Sequence, residues 1–164
     1  MKTNNVTRLL QARKIPFTAF ELPAKKIGAV ETAQLLNVEP SLVYKTIVLK
    51  REKPGKHILA VVPGDREVNL KLVAEALNEK KVLLTTQKEA EAITRLQAGG
   101  ISPLALLGRG FQVILDSNAL KHDMIHISGG ERGLNICLPV KNLIELTQAK
   151  TAPISSKTDE NSVD

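Results

Sequence analysis

"LVYKTIVLK", residues 42–50, is the stretch from which the rest of the chain is read. Successive side chains on a β-strand point to opposite faces. Val43, Lys45, Ile47 and Leu49 then share one face, and Tyr44, Thr46, Val48 and Lys50 share the other. Lys45 therefore stands in an apolar row, where an ammonium is costly unless something compensates it. Two readings are open. The lysine stem packs while its head reaches water, or the head points into a cavity and holds an anion or a developing oxyanion.

Working outward, "REKPGK" (51–56) contains a Pro-Gly turn, and "HILAVVP" (57–63) returns as a strand whose nearly continuous apolar run predicts burial on both faces. Upstream, the spacing predicts helices over 2–14 and 29–37, the second with Val30, Ala33 and Leu35 or Leu36 inward. "IPFTAFEL" (15–22) reads as extended. Downstream, helices are expected over 70–77 and over 87–96, the latter opened by a Thr86–Glu89 capping box. "FQVILD", "DMIHIS" and "LNICL" read as strands, and Pro139 starts a final helix. The strands come in adjacent pairs between isolated helices, which disfavours a doubly wound parallel sheet. A single α/β domain over 1–151, with a mixed, partly closed sheet flanked by helices, is expected. Residues 152–164 are expected to be a flexible acidic tail.

The 164 residues are 43% hydrophobic, enough for one domain with a sizeable core. No apolar run reaches the roughly 18 residues of a membrane span, and the polar, basic N-terminus has no signal-peptide core. The one cysteine, Cys137, cannot form an internal disulfide, and a cytoplasmic protein is expected. Net charge is +6; the last ten residues carry one lysine against three acids, so the remaining body is +8. Such a body suits either a polyanionic partner or a plainly solvated surface. With only Phe17, Phe20, Tyr44 and Phe111 aromatic, a stacking platform for single strands is disfavoured, and nucleic-acid contacts would go mostly to phosphates. Lys50, Arg51, Lys53 and Lys56 around the Pro-Gly loop are candidate phosphate contacts; the alternative is a solvated loop, with any nucleic acid running toward Arg109 and Arg132 at the glycine segments.

Three further segments carry chemistry. In "AGGISPLALLG", Gly99 and Gly100 could bring backbone N–H groups to a ligand beside Ser102, or simply join helix to strand. In "ISGGERG", Ser128, Gly129 and Gly130 form a hairpin turn, and the open question is whether they also line a pocket. Asp116 either caps the turn "SNAL" or stands at a pocket rim. His57, His122 and His126 lack metal-ligand spacing, and no metal or other cofactor is expected. No dinucleotide fingerprint, Walker loop or nucleophile elbow is present. Cys137, between apolar neighbours in "NICLP", reads as an inert thiol.

Taken in order, "VYKT" (43–46), "GGISPL" (99–104) and "SGGERG" (128–133) closely resemble the YbaK/EbsC family of free-standing aminoacyl-tRNA deacylases, relatives of the editing domain of bacterial prolyl-tRNA synthetase. The resemblance spans about residues 5–148. It implies a distorted, β-barrel-like mixed sheet surrounded by helices. It implies trans-editing: removal of cysteine mischarged on proline tRNA, and also of cysteine from its own isoacceptor. It makes Lys45 the catalytic lysine and places Gly99, Gly100, Ser102, Asp116, Ser128, Gly129 and Gly130 around the substrate. The implied partners are the acceptor end of aminoacylated tRNA and prolyl-tRNA synthetase, with no role for DNA or membrane. In the family's scheme the substrate's own cysteine thiolate attacks the ester and leaves as a thiolactone, so the protein needs no nucleophile. The alternatives are water-mediated release of alanine or another small amino acid, and a non-catalytic module that binds tRNA or a synthetase. The chain departs from related sequences at "TRLQAGG", with Arg95 and Leu96, at Ala105 in "SPLALLGRG", and at "FELPAK", where Phe20 and Leu22 stand near the end of the first strand.

Overall fold

A computed structural model describes residues 2–158. In chain order the elements are α1 (Asn5–Ala12), β1 (Thr18–Glu21), α2 (Ala29–Leu36), β2 (Tyr44–Arg51), β3 (Ile58–Pro63), β4 (Arg66–Val68), α3 (Leu70–Ala76), β5 (Val82–Leu84), α4 (Gln87–Thr94), β6 (Gln112–Asp116), β7 (Met124–Ser128), β8 (Leu134–Pro139), α5 (Val140–Thr147), β9 (Lys150–Ala152) and β10 (Ser155–Lys157). Single 3-10 turns, Pro40–Leu42 and Ser117–Lys121, precede β2 and follow β6.

The alternation read in residues 42–50 organises the packing. Tyr44 and Val48 join one apolar cluster with Leu59, Val61 and Leu115; Ile47 and Leu49 join a second with Ile58, Ala60 and Ile114. The sheet thus separates two cores, and every residue of β3 is buried. That sheet has the order β5-β2-β3-β6-β9, antiparallel at β5–β2 and β2–β3 and parallel at β3–β6 and β6–β9. A second, antiparallel sheet has the order β1-β8-β7, and β10 pairs with β4 as a third. A parallel bridge between Val43 and His126 joins the start of β2 to β7. The mixed α/β sheets flanked by helices agree with the expected class, but they remain separate and do not close into a barrel.

Local signals explain most boundaries. Asn4 and Thr7 form a capping box that starts α1, and Thr86 with Glu89 does the same for α4. Pro139 stands one residue outside α5, as its N-cap, so the helix starts at Val140. Helix α2 turns Thr32 and Ala33 inward with Leu36 half-buried and Leu35 exposed, so only Val30, which is exposed, departs from the spacing-based expectation. The reason is the close seat of α2 on the sheet end: a Cβ at Gly64 would lie 2.7 Å from the Ala29 Cβ. The chain after α5 does not fray at 152. It continues as β9 and β10, with Ile154 fully buried. Residues 159–164 of the expected tail lie outside the described residues. Among the described residues no helix is long and apolar enough to cross a membrane.

Candidate active site

Where β2 begins, the two larger sheets diverge and leave a cavity of about 280 Å³. Its walls are the segment from Leu22 to Thr32, the β2 residues Val43 to Thr46, the loop at Ala98–Ile101, and the ends of β7 and β8 at Ser128 and Asn135. Lys25, Lys26 and Lys45 line it, and no carboxylate, imidazole or thiol does. A concavity with three cations and no acid concentrates anions.

Lys45 keeps a quarter of its side chain exposed, and its Nζ lies 3.3 Å from Glu67 Oε1 on β4. Part of the Lys45 side chain thus reaches solvent, and the residue also lines the cavity. A carboxylate from β4, a strand of a separate sheet, offsets the desolvation of its ammonium before any ligand arrives. Glu67 is itself 64% exposed, so the pair is solvent-screened and weak.

The two glycine segments meet. A Cβ at Gly100 would lie 2.8 Å from the Glu131 Cα and 2.9 Å from the Arg132 nitrogen. Only glycine lets the 98–101 loop press against the 128–133 turn this closely. Arg132 Nε donates to the Ala98 carbonyl at 2.7 Å, and Ser128 Oγ lies 3.5 Å from the Gly99 carbonyl oxygen. Gly99, at φ +91°, and Ser128 reach the cavity wall. Gly100, Gly129 and Gly130 stand behind it. Their N–H groups are already used by the Gln97 carbonyl, the Leu134 carbonyl and the Ser128 hydroxyl, at 2.8, 2.8 and 3.3 Å. They hold the wall together and do not present donors to a ligand. The N–H groups of Gly99 and Ile101, by contrast, have no protein acceptor among the described residues.

Two other expected residues lie away from the cavity. Ser102 is fully buried, and its hydroxyl accepts the Leu104 N–H at 3.2 Å, turning the loop. Asp116 is fully buried as well. Its carboxylate accepts from the Asn118 N–H at 2.8 Å, the Asn118 side chain at 2.7 Å and the Ile154 N–H at 3.3 Å. It caps the turn "SNAL" and ties down the chain after β9, so both oxygens are engaged and it does not stand at a pocket rim.

Sequence reasoning missed three groups. Asn135 is buried at the wall, with Oδ1 2.8 Å from Nδ1 of His126; its NH2 has no protein acceptor among the described residues. Lys25 and Lys26 of "FELPAKK" line the cavity beside Leu22, which the sequence marks as a departure from related proteins, while Phe20 packs on His126 at 5.6 Å between ring centroids. Tyr44 also lines the cavity, and its buried hydroxyl lacks a hydrogen-bond partner. Burial first, then the charges of Asp116 and Asp65 against that of Arg66, holds this phenol far above its ordinary ionisation range, so it stays neutral. The polar residues in "GLNIC" and the paired lysines were visible in the sequence, but nothing local marks which of them face a cavity.

Residues 23–146 match the family described as the aminoacyl-tRNA editing domain. The chain is 32% identical over 155 residues, 93% of each chain, to EbsC of Enterococcus faecalis, named as a candidate Cys-tRNA(Pro)/Cys-tRNA(Cys) deacylase. It is 30% identical over 86 residues, 52% of this chain, to part of a proline–tRNA ligase of Bacillus cytotoxicus, covering 15% of that protein. Among solved structures, the hypothetical protein APE2540 superposes with a TM-score of 0.84 at 25% identity, over 93% of this chain and all of that one.

Proposed function

Because this chain belongs to the aminoacyl-tRNA editing domain family, a family of enzymes that deacylate tRNA, we propose that it removes cysteine mischarged on proline tRNA, with the substrate's own thiolate as nucleophile. The observation that carries the reading is the composition of the cavity: three lysines, unpaired backbone and carboxamide donors, and no carboxylate, imidazole or thiol to serve as the usual base for a water. A water-mediated route would need such a base to deprotonate the water. A cysteinyl ester brings its own nucleophile.

The step balances without a protein nucleophile. The cysteine sulfur bonds to the ester carbonyl carbon, the bond from that carbon to the ribose oxygen breaks, and the oxygen leaves as the 3′-terminal hydroxyl after taking a proton. The products are a cyclic thiolactone and free tRNA. The protein's part is to hold sulfur and carbonyl at reacting distance. It also stabilises the oxyanion through Lys45, the Asn135 NH2 and the N–H groups of Gly99 and Ile101. Lys25 and Lys26 at the mouth meet phosphate, and prolyl-tRNA synthetase is the source of the substrate.

Purified protein given Cys-tRNA(Pro), Ala-tRNA(Pro), Cys-tRNA(Cys) and proline tRNA charged with serine tests the reading. Fast release of cysteine as thiolactone, with the serine ester untouched, is the expected result. Equal turnover of the alanine or serine ester would transfer the reaction to water. Cys137 does not line the cavity, and burial raises its thiol above the ordinary range. Cys137→Ser is therefore expected to keep most of the turnover, and a folded but inactive variant would reveal a protein nucleophile.

A further inference from the structure

A second concavity, of about 180 Å³, opens beside the first, between β2 and the start of α4. The two share Thr46, Ala98 and Ile101 as a common wall. Ile47, Val48 and Ala90 make the second one apolar, and Thr85, Thr86 and Gln87 supply its polar rim. Both threonine hydroxyls already have work: Thr85 Oγ1 donates to the Val48 carbonyl at 2.9 Å, and Thr86 Oγ1 accepts the Glu89 N–H at 3.1 Å. The exposed carboxamide of Gln87 is different. Its Oε1 accepts from Lys26 Nζ at 2.7 Å, and its NH2 has no protein acceptor among the described residues. Since Lys26 belongs to the first cavity, this exposed hydrogen bond spans the junction of the two.

We propose that the second concavity seats the terminal adenosine of the tRNA, with Gln87 reading the base edge and Lys26 meeting the nucleotide's phosphate. The inference rests on the deacylase reading. An aminoacyl group in the first cavity is bonded directly to the ribose of the terminal nucleoside, so that nucleoside lies at the cavity's edge. The adjoining concavity supplies an apolar surface for a base face and one carboxamide whose NH2 is uncommitted. A glutamine amide matches the acceptor and donor of adenine N7 and N6 bidentately. Rotation of that amide toward the base releases Lys26, whose ammonium suits a phosphate as a compact charge. In the free protein the Lys26–Gln87 contact keeps both groups at the junction.

Adenosine 5′-monophosphate serves as the probe, titrated against the protein by amide chemical shifts and added as an inhibitor of deacylation. Gln87→Glu is the informative variant. It keeps a partner for Lys26 and places an acid in the first turn of α4, where the helix favours one, so the fold is retained. It loses the amide donor and repels phosphate. Competitive inhibition in the native protein, shifts at Thr85, Gln87 and Ala90, and a dissociation constant about tenfold weaker in Gln87→Glu are expected. KM for charged tRNA should rise more than kcat falls. Equal affinity in both proteins, or shifts confined to the Lys53–Lys56 hairpin, would overturn the assignment. Turnover by the unmodified protein tests the deacylase reading alone, while the titration reads the subsite whether or not turnover occurs.

Discussion

Lys45 and Lys50 lie five residues apart on β2, each beside a glutamate, yet the structure uses them differently. Lys45 meets Glu67 at 3.3 Å and opens onto a cavity free of carboxylates. Lys50 meets Glu89 at 2.8 Å at the far end of the strand, where Glu89 also accepts the Thr86 N–H in the α4 capping box. The shorter contact belongs to the lysine that lines no cavity. A short ion pair therefore says little about what a lysine is placed to do; the space around the ammonium says more. At one end of the strand that space includes a half-open hollow lined by three lysines. At the other it is a partly exposed contact with the first turn of α4.

The largest expected effect is at the cavity end. Lys45→Ala should leave the sheet folded and lower the deacylation rate by about 10²–10³, the loss typical of one preorganised charged donor. Single-turnover rates with wild-type melting behaviour would show it. A near-native rate would erase the distinction between the two lysines.

An intermediate effect is expected where the two loops that wall the cavity press together. Gly100→Ala forces a methyl against the backbone of Glu131 and Arg132, where no flexible side chain can give way. Overpacking of this kind costs about 1–3 kcal/mol. At roughly 2–4 °C per kcal/mol for a chain of this size, thermal unfolding should record a loss of several degrees. Turnover should fall as well, because the Gly99 and Ser128 wall shifts. A variant with native stability and native rate would show that the close approach is not needed.

The smallest effect is at the far end. Lys50→Ala should change stability only slightly and leave kcat for deacylation unaltered. Its pH dependence carries a sign. The Lys50 hydrogen bond first, then the Thr86 N–H, holds the Glu89 carboxyl below its usual range. A group with a lowered folded-state pKa adds stability above its unfolded value and loses it as pH falls through the folded one. The difference between Lys50→Ala and the native chain should therefore be visible near neutral pH and shrink on acidification. A gap that widens in acid would show that Lys50 acts through something other than Glu89.

How much was legible beforehand follows from the range of each signal. The two-residue period of residues 42–50, the apolar run of β3 and the Thr86–Glu89 box are local, and each appears in the structure where the sequence places it. The three-residue strands β4, β5, β9 and β10 were not legible, since so short a segment has no period of its own and becomes a strand only when a neighbour offers a ladder. The site divides similarly. Lys45, Gly99 and Ser128 were recognised and reach the cavity; Tyr44, Asn135, Lys25 and Lys26 reach it without having been singled out. Gly100, Gly129 and Gly130 were recognised for the right backbone property, but it serves the packing of one loop on another.

What the amino-acid sequence determined by itself is therefore what neighbours along the chain decide: strand faces, helix caps, turn glycines, a basic body and the family signature. Only the tertiary structure decided which polar groups remain for a ligand. Asp116 is consumed by Asn118 and by Ile154, 38 residues later; Gly100 is set against Glu131, 31 residues later; Lys45 is balanced by Glu67 on another strand. A donor or carboxylate becomes functional when folding leaves it unsatisfied at a cavity, and that remainder is set by long-range contacts that no local pattern encodes.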